Sequence, residues 1–185
     1  MPRKFFRKYL PTPDSVRSSR LAKPFGSLLH HPNLWCLNRR SVAGAVAIGL
    51  FCGLVPGPLQ MLAALLVAIP LRRNIPVALL VTLYTNPFTI VPLYLLAYAY
   101  GRLILWESVD PGPVVPFEMD WSAFGDSMHG LLLWMMSLGK PLGIGLVALG
   151  LTLALLGYVT VQVVWRLQVV GAWRARTKRR KARAA

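Results

Sequence analysis

The chain has 185 residues, of which 55% are hydrophobic and only 15% are charged, and its formal net charge is +15. A soluble domain usually carries about 25% charged residues, so this composition excludes an ordinary soluble domain and indicates a membrane protein. The two cysteines provide no disulfide framework.

The cations lie in blocks, and the acids are separated from them. Nine of the 21 Lys and Arg residues lie in residues 1–40, and eight lie from Arg166 onward. Five of the six acids fall in one stretch, from Glu107 to Asp126. Basic blocks beside apolar spans mark the cytoplasmic side and bind anionic lipids, which we expect here in preference to nucleic acid. The candidate lipid-headgroup contacts are Arg39, Arg40, Arg72, Arg73 and Arg166.

Residues 1–40 are predicted to form a basic cytoplasmic arm. Aromatic residues are interspersed with cations near its start, which fits either a short helix in the headgroup layer or a disordered segment. The arm has no signal-peptide pattern. His30, His31 and Cys36 match no zinc-ligand spacing, so we expect no metal and no cofactor.

Val42–Leu71 is a run of thirty uncharged residues that Pro56-Gly57-Pro58 divides nearly in half. Proline removes a backbone donor and clashes with the preceding turn, so we expect no single straight helix. Each half reaches only about 20 Å, whereas the hydrocarbon core of a bilayer is about 30 Å thick. The two halves therefore form either one kinked span or a re-entrant helical hairpin.

The distribution of charge favours the hairpin. A single crossing would put Arg72 and Arg73 outside the cell, the acidic stretch inside and the basic tail outside, which inverts the positive-inside bias at three places. A hairpin that enters and leaves on one side puts the arm, the two arginines and the tail in the cytoplasm. We therefore predict the hairpin, with both termini cytoplasmic.

Two further spans follow the hairpin. Residues 75–101 and 141–165 are uncharged runs of twenty-seven and twenty-five residues, each long enough to cross a bilayer. Asn86-Pro87 interrupts the first span. The tyrosines that suit its outer interface are Tyr94, Tyr98 and Tyr100. Small residues that allow close helix approach on or beside the second span are Gly139, Gly143, Gly150, Ala154 and Gly157.

Residues 102–140 are predicted to be an outer acidic loop. Its five carboxylates fit no calcium-loop spacing, and we interpret them as a solvated loop rather than a catalytic or cation site. The stretch near residues 122–138 is amphipathic and is predicted to be an interfacial or partial helix. The basic tail, residues 167–185, is predicted to continue the last helix at its start and to be disordered at its end.

The predicted fold class is therefore an all-α membrane protein with a membrane domain at residues 41–166. It comprises a re-entrant, proline-broken helical hairpin at 42–71 and two transmembrane helices at 75–101 and 141–165.

The candidate site lies where the apolar runs are broken. The breaks lie about 22 Å from Arg72 and about 19 Å from Arg73 along a helix, so both fall near the bilayer midplane. Broken helices that converge there form substrate sites in many transporters, and buried amides need partners, so we predict a contact between Gln60 and Asn86, either direct or through water. The alternative is that the breaks only let the hairpin tip pack against the next span. The site residues are Pro56, Gly57, Pro58, Gln60, Thr85, Asn86, Pro87 and Thr89.

The runs AIGLFCGLVPGPLQM, LRRNIPVAL and TNPFTIVPLYLLAYAYG resemble the bacterial inner-membrane family called domain of unknown function 2062. The resemblance implies a small multi-pass protein of the bacterial cytoplasmic (inner) membrane with no assigned activity, and it supplies no catalytic residues. The matching positions are Gly49, Phe51, Gly53, Pro56, Pro58, Gln60, Arg73, Asn74, Pro76, Asn86, Pro87, Thr89, Pro92, Tyr94 and Gly101.

Two functions fit these patterns. The first is a transporter-like or lipid-handling protein with a polar site at the midplane breaks, acting as a homo-oligomer because three or four membrane elements are too few to enclose a pathway. The second is a non-transporting scaffold that binds anionic lipid or a protein partner. No catalytic constellation is visible, so we do not expect an enzyme.

Overall fold

The computed structural model describes residues 31–57, 59–86, 88–106, 117 and 124–184. The described residues form helices and contain no strand, which confirms the predicted all-helical class. A short 3-10 helix spans Pro32–Leu34. The α-helices are α1 (Arg39–Cys52), α2 (Leu59–Ala68), α3 (Ile75–Thr82), α4 (Ile90–Leu105), α5 (Phe124–Ser137) and α6 (Gly139–Ala184).

Helices α1 and α2 form a hairpin whose two ends meet. Arg73 Nη1 donates to the carbonyl oxygen of Arg40 at 2.8 Å, and Asn74 Nδ2 donates to the carbonyl oxygen of Cys36 at 3.2 Å. The residues that follow α2 are therefore tied to the residues at the start of α1. The chain reverses direction at the Pro56-Gly57 turn instead of continuing as one kinked helix.

The return of the chain from α2 to α3 uses a Schellman turn. The amide of Arg73 donates to Ala68 O at 2.9 Å, and the amide of Arg72 donates to Ile69 O at 3.0 Å. This pattern requires a left-handed residue, which is usually glycine, but here it is Arg72 with φ 52°. A left-handed conformation costs an L-residue about 1–2 kcal/mol, so the turn holds an arginine where glycine would be more stable.

The predicted span at residues 75–101 is not one helix. Asn74 caps α3 through a bond from the Val77 amide to its Oδ1 at 3.0 Å, and α3 ends at Thr82 after eight residues. Irregular backbone follows before α4, which begins at Ile90 and continues to Leu105, past the predicted end. Neither piece alone has the length of a transmembrane helix.

Helix α6 is the only helix in the described part of the chain that is long and apolar enough to cross a membrane. Its segment Gly139–Gly171 has a mean hydropathy of 2.2 over its most apolar window, of which only 17% is buried. One such helix is, by length and composition, weak evidence for a membrane location. The helix also continues through the basic tail to Ala184, so the prediction of a disordered end is wrong.

Helix α6 runs antiparallel to both α1 and α4. Along α6, Gly150 lies against Phe51, and Gly157 lies against Leu50 and Val46, which come earlier in α1.

Against α4, a Cβ atom at Gly145 would overlap the carbonyl of Ala97, and a Cβ atom at Gly101 would overlap the carbonyl of Pro141. The tip of the hairpin is level with Gly150, so the first part of α6 extends about 16 Å beyond the tip, alongside α4.

The predicted small-residue contacts on α6 are correct for Gly150 and Gly157, which receive side chains of α1. Gly139 and Gly143 face open space instead. Gly145, which is not among the predicted small-residue contacts, makes the closest approach to α4. Helix α5 lies in the segment predicted as an interfacial or partial helix, and its Leu131 is buried in the same cluster as Leu142 of α6.

We expect Gly145→Ala to destabilise the protein by about 1–3 kcal/mol, because the added methyl group overpacks the α4–α6 crossing. The matched control is Gly143→Ala on the same helix, where the methyl group enters open space and should be neutral or slightly stabilising through helix propensity. Thermal unfolding of the two purified variants measures the difference. Equal melting temperatures would contradict the close α4–α6 packing.

Candidate functional site

The two helix breaks face each other, and the geometry follows from missing backbone donors. Proline has no N–H, so Pro56 and Pro58 deprive the carbonyls four residues earlier, those of Cys52 and Leu54, of their helical partners. Carbonyls at the C-terminal end of a helix need other donors when they are buried away from water.

The carbonyl of Cys52 accepts from the Val55 amide at 3.0 Å. Hydroxyls of the second break and of α4 bond to three other carbonyls at this end of α1, including that of Leu54. Tyr84 Oη donates to Leu50 O at 2.8 Å, and Thr85 Oγ1 donates to Gly53 O.

Tyr94 Oη donates to Leu54 O at 2.7 Å, and its side chain is fully buried. The end of α1 is thus closed by residues that lie thirty or more positions later in the chain. This places the hairpin tip against the α3–α4 break.

The Gln60 amide completes this arrangement. With its nitrogen towards the acceptors, it lies 3.1 Å from Gly53 O, 3.2 Å from Thr82 O and 2.6 Å from Thr85 Oγ1. Three hydrogens are available for these three acceptors: two on the Gln60 amide nitrogen and one on the Thr85 hydroxyl. Helix α2 is therefore joined to the end of α1 and to the end of α3 through one buried polar cluster, which we call the break cluster: Gly53, Gln60, Thr82 and Thr85.

The structure shows no direct hydrogen bond between Gln60 and Asn86. The Asn86 side chain is exposed, and its Oδ1 accepts from the amides of Phe88 at 2.9 Å and Thr89 at 3.1 Å. The Thr89 hydroxyl donates to Tyr84 O at 2.8 Å. Asn86 and Thr89 therefore organise the start of α4, because a local amide competes for the backbone donors that precede a helix.

Two other predicted site residues lie at the hairpin tip, beside the cluster. Pro56 and Gly57 are half-buried at the hairpin tip, and Gly57 has φ 67°, which requires the conformational freedom of glycine. Pro58 and Pro87 lie outside the described residues.

Sequence reasoning missed Tyr84 and the role of Tyr94. We predicted that Tyr94 lies at a membrane interface, but it is buried, with its hydroxyl bonded to α1. A signal was present: Ile90, Tyr94, Ala97 and Gly101 follow helical spacing on one buried face of α4.

Several residues around the breaks are exposed in the described part of the chain. Residues 55–57 are half-buried, whereas Leu83 is 50% exposed and Phe88 is 77% exposed. Asn86 between them is exposed as well. The break cluster is largely interior, but residues of the non-helical segment beside it face outward.

Four of the predicted headgroup arginines lie together at the end of the bundle opposite the hairpin tip. Arg39 and Arg40 form the first turn of α1, and Arg72 and Arg73 precede α3. Arg73 is half-buried, with its side chain against Gly44.

Arg166 is level with them. Gly157 packs against Val46 and Leu50, which lie seven and eleven residues after Arg39 on α1. Arg166 lies nine residues after Gly157 on the antiparallel α6, which brings it back to the level of Arg39.

The residues considered for metal binding do not come together in the described ranges, where no three His, Cys, Asp or Glu side chains form a group. His31 accepts a bond from the Asn33 amide at 3.2 Å, and Cys36 is a free, exposed thiol. His30 and four of the five predicted loop carboxylates lie outside the described residues; Asp126 is exposed in the first turn of α5.

A double-mutant cycle tests the break cluster. We expect Gln60→Ala and Thr85→Val to be non-additive, with a coupling of about 0.5–3 kcal/mol in the free energy of unfolding, because both bind Gly53 O and each other. The matched control pairs Gln60→Ala with Asn86→Ala, which share no partner and should be additive. Coupling in the control pair without coupling in the first would restore the Gln60–Asn86 contact and contradict the geometry.

Comparison with protein-family models places residues 22–174 in DUF2062, described as an uncharacterized protein conserved in bacteria. This confirms the family resemblance drawn from the sequence. Comparison with curated proteins gave no match, and comparison with solved structures gave none either. Because the family model covers most of the chain, the chain belongs to the DUF2062 family.

Proposed function

We propose that this chain is a multi-pass protein of the bacterial cytoplasmic membrane. In this proposal α3–α4 and α6 cross the bilayer, and the α1–α2 hairpin is re-entrant. The length of α6 supports the arrangement, because the interval from Gly145 to Arg166 measures about 32 Å against a hydrocarbon thickness of about 30 Å. Helix α1 has fourteen residues, or about 21 Å, which is too short to cross.

The charges support an orientation with both termini in the cytoplasm. The end of the bundle that holds Arg39, Arg40, Arg72 and Arg73 also receives the basic end of α6, whereas Arg102 and Lys140 lie at the other end. An excess of Lys and Arg marks the cytoplasmic side of a membrane protein. The hairpin would then enter from the cytoplasm and occupy mainly the inner half of the bilayer.

We further propose that the protein handles lipid or a small solute at the helix breaks. The supporting observation is the non-helical segment between α3 and α4, whose residues Leu83, Asn86 and Phe88 are exposed and which this arrangement would put near mid-membrane. Within the hydrocarbon region such backbone is tolerated only where protein buries it or where it lines a water-filled cavity. Beyond the tip of the half-length hairpin the bundle continues with α4, α5 and the start of α6, and water or lipid headgroups can reach the break from its exposed side.

The alternative is a non-transporting scaffold in which a second copy or a protein partner covers the break. The observation that favours it is that the polar groups of the break cluster already have hydrogen-bond partners within the chain. Gln60 and Thr85 bind carbonyl groups of the chain, so they stabilise the fold and are not available to a ligand. Neither alternative assigns the chain an enzymatic role or a cofactor.

A cysteine at Phe88 separates the two functions. In a background of Cys36→Ser and Cys52→Ala, we expect Phe88→Cys to react with a membrane-impermeant maleimide, because water reaches the break. The matched control is Leu96→Cys, which is also exposed, at 53%, but lies on the apolar surface of α4 and should be protected by lipid. Labelling is measured in membranes as a mass shift.

The outcomes are distinct. Selective labelling of Phe88→Cys supports a polar pathway. Protection of Phe88→Cys together with oxidative cross-linking between two copies supports the scaffold. Protection without cross-linking would contradict the proposed lipid- or solute-handling role.

A further inference from the structure

The turn between α2 and α3 holds an arginine in a conformation that favours glycine. Arg72 has φ 52° and is exposed. The backbone bonds of this turn need only the left-handed conformation, and glycine would satisfy them without strain. Backbone strain that packing does not require is concentrated at functional sites, so an arginine at this position points to a function for its guanidinium group.

The surroundings of Arg72 are strongly cationic. Arg39 and Arg40 are exposed at the start of α1, and no side-chain hydrogen bond or ion pair involves their guanidinium groups or that of Arg72 within the described ranges. Arg73 differs because its guanidinium is bonded to Arg40 O at 2.8 Å. It therefore ties the turn to α1 and keeps Arg72 at the same end as Arg39 and Arg40.

No carboxylate of the described residues offsets this charge. Asp126 is the one acid among them, and it lies on α5, which packs with the first turns of α6 at the other end of the bundle. The amino ends of α1 and α3 add positive potential at the cationic end. An anion is the ligand that this surface fits.

Apolar surface lies directly beside the cations. Leu71 is 56% exposed, and on α2 Leu66 is 47% and Val67 is 38% exposed. A soluble anion gains nothing from these side chains, whereas a lipid can place its phosphate on the arginines and its acyl chains along α2. This combination selects a lipid over free phosphate.

We propose that Arg39, Arg40 and Arg72 form a binding site for the phosphate of an anionic lipid headgroup, with Arg73 as the positioning residue. The proposal rests on the membrane location proposed above. It gives the strained Arg72 its role, since glycine at this position would make a more stable turn but would remove one of the three cations that bind the lipid.

The test compares two glycine substitutions in full-length protein purified in a neutral detergent. Arg72→Gly and Trp106→Gly each relieve a left-handed non-glycine residue, because Trp106 has φ 53° at the end of α4, but only the first removes a cation. Retained phosphatidylglycerol, and phosphatidylcholine with the same acyl chains, are counted by native mass spectrometry. Arg72→Lys is a third variant that keeps the charge.

We expect wild type, Trp106→Gly and Arg72→Lys to retain phosphatidylglycerol in preference to phosphatidylcholine. Arg72→Gly should retain about fivefold less phosphatidylglycerol while unfolding at the same or a higher temperature than wild type. Excess inorganic phosphate should not displace the lipid.

Wild-type retention by Arg72→Gly, or equal retention of the two lipids by wild type, would overturn the site. Displacement of the lipid by inorganic phosphate would also overturn it, in favour of a soluble-anion site. Extraction of native membranes with alkaline carbonate separates failure of the lipid site from failure of the proposed membrane location. If alkaline carbonate releases the chain without detergent, the chain is not an integral membrane protein.

Discussion

The structure depends on how the carbonyl groups at the end of α1 find hydrogen-bond donors. The Pro56-Gly57-Pro58 turn ends the helix and removes donors that a continuing helix would supply. The hydroxyls of Tyr84 and Tyr94 replace them, together with that of Thr85. Because those residues belong to the α3–α4 break and to the first turns of α4, satisfying one helix end fixes the position of the next helix pair, and the two breaks lie side by side.

The same constraint produces the asymmetry on which the proposed function rests. The hairpin returns to its starting end, where the bond from Arg73 to Arg40 closes it, whereas α4, α5 and the start of α6 continue beyond its tip. There α4 and α6 cross closely at Gly101 and Gly145. Exposed residues of the non-helical segment at the break lie at the edge of the structure, where water, lipid or a second copy must cover the segment if the chain lies in a membrane.

Local patterns predicted the elements of this fold better than their contacts. Proline spacing located both breaks, and charge favoured the hairpin, because each depends on short stretches of sequence. Gln60 and Asn86 make no direct hydrogen bond, because depth along a helix does not specify which side of the helix a residue faces. The burial of Tyr94 and the left-handed Arg72 depend on tertiary contacts and turn geometry, and the preference of tyrosine for membrane interfaces pointed the other way for Tyr94.

The central claim is that residues 39–74 enter and leave the membrane on one side. Single cysteines at Arg39, Arg72 and Trp106, in a chain without native cysteines, measure this most directly when intact cells are treated with a membrane-impermeant maleimide. The account predicts protection of the first two positions until the cells are permeabilised, and labelling of the third in intact cells. Labelling of Arg72→Cys in intact cells, with Arg39→Cys protected, would show that the segment crosses once and would contradict the account.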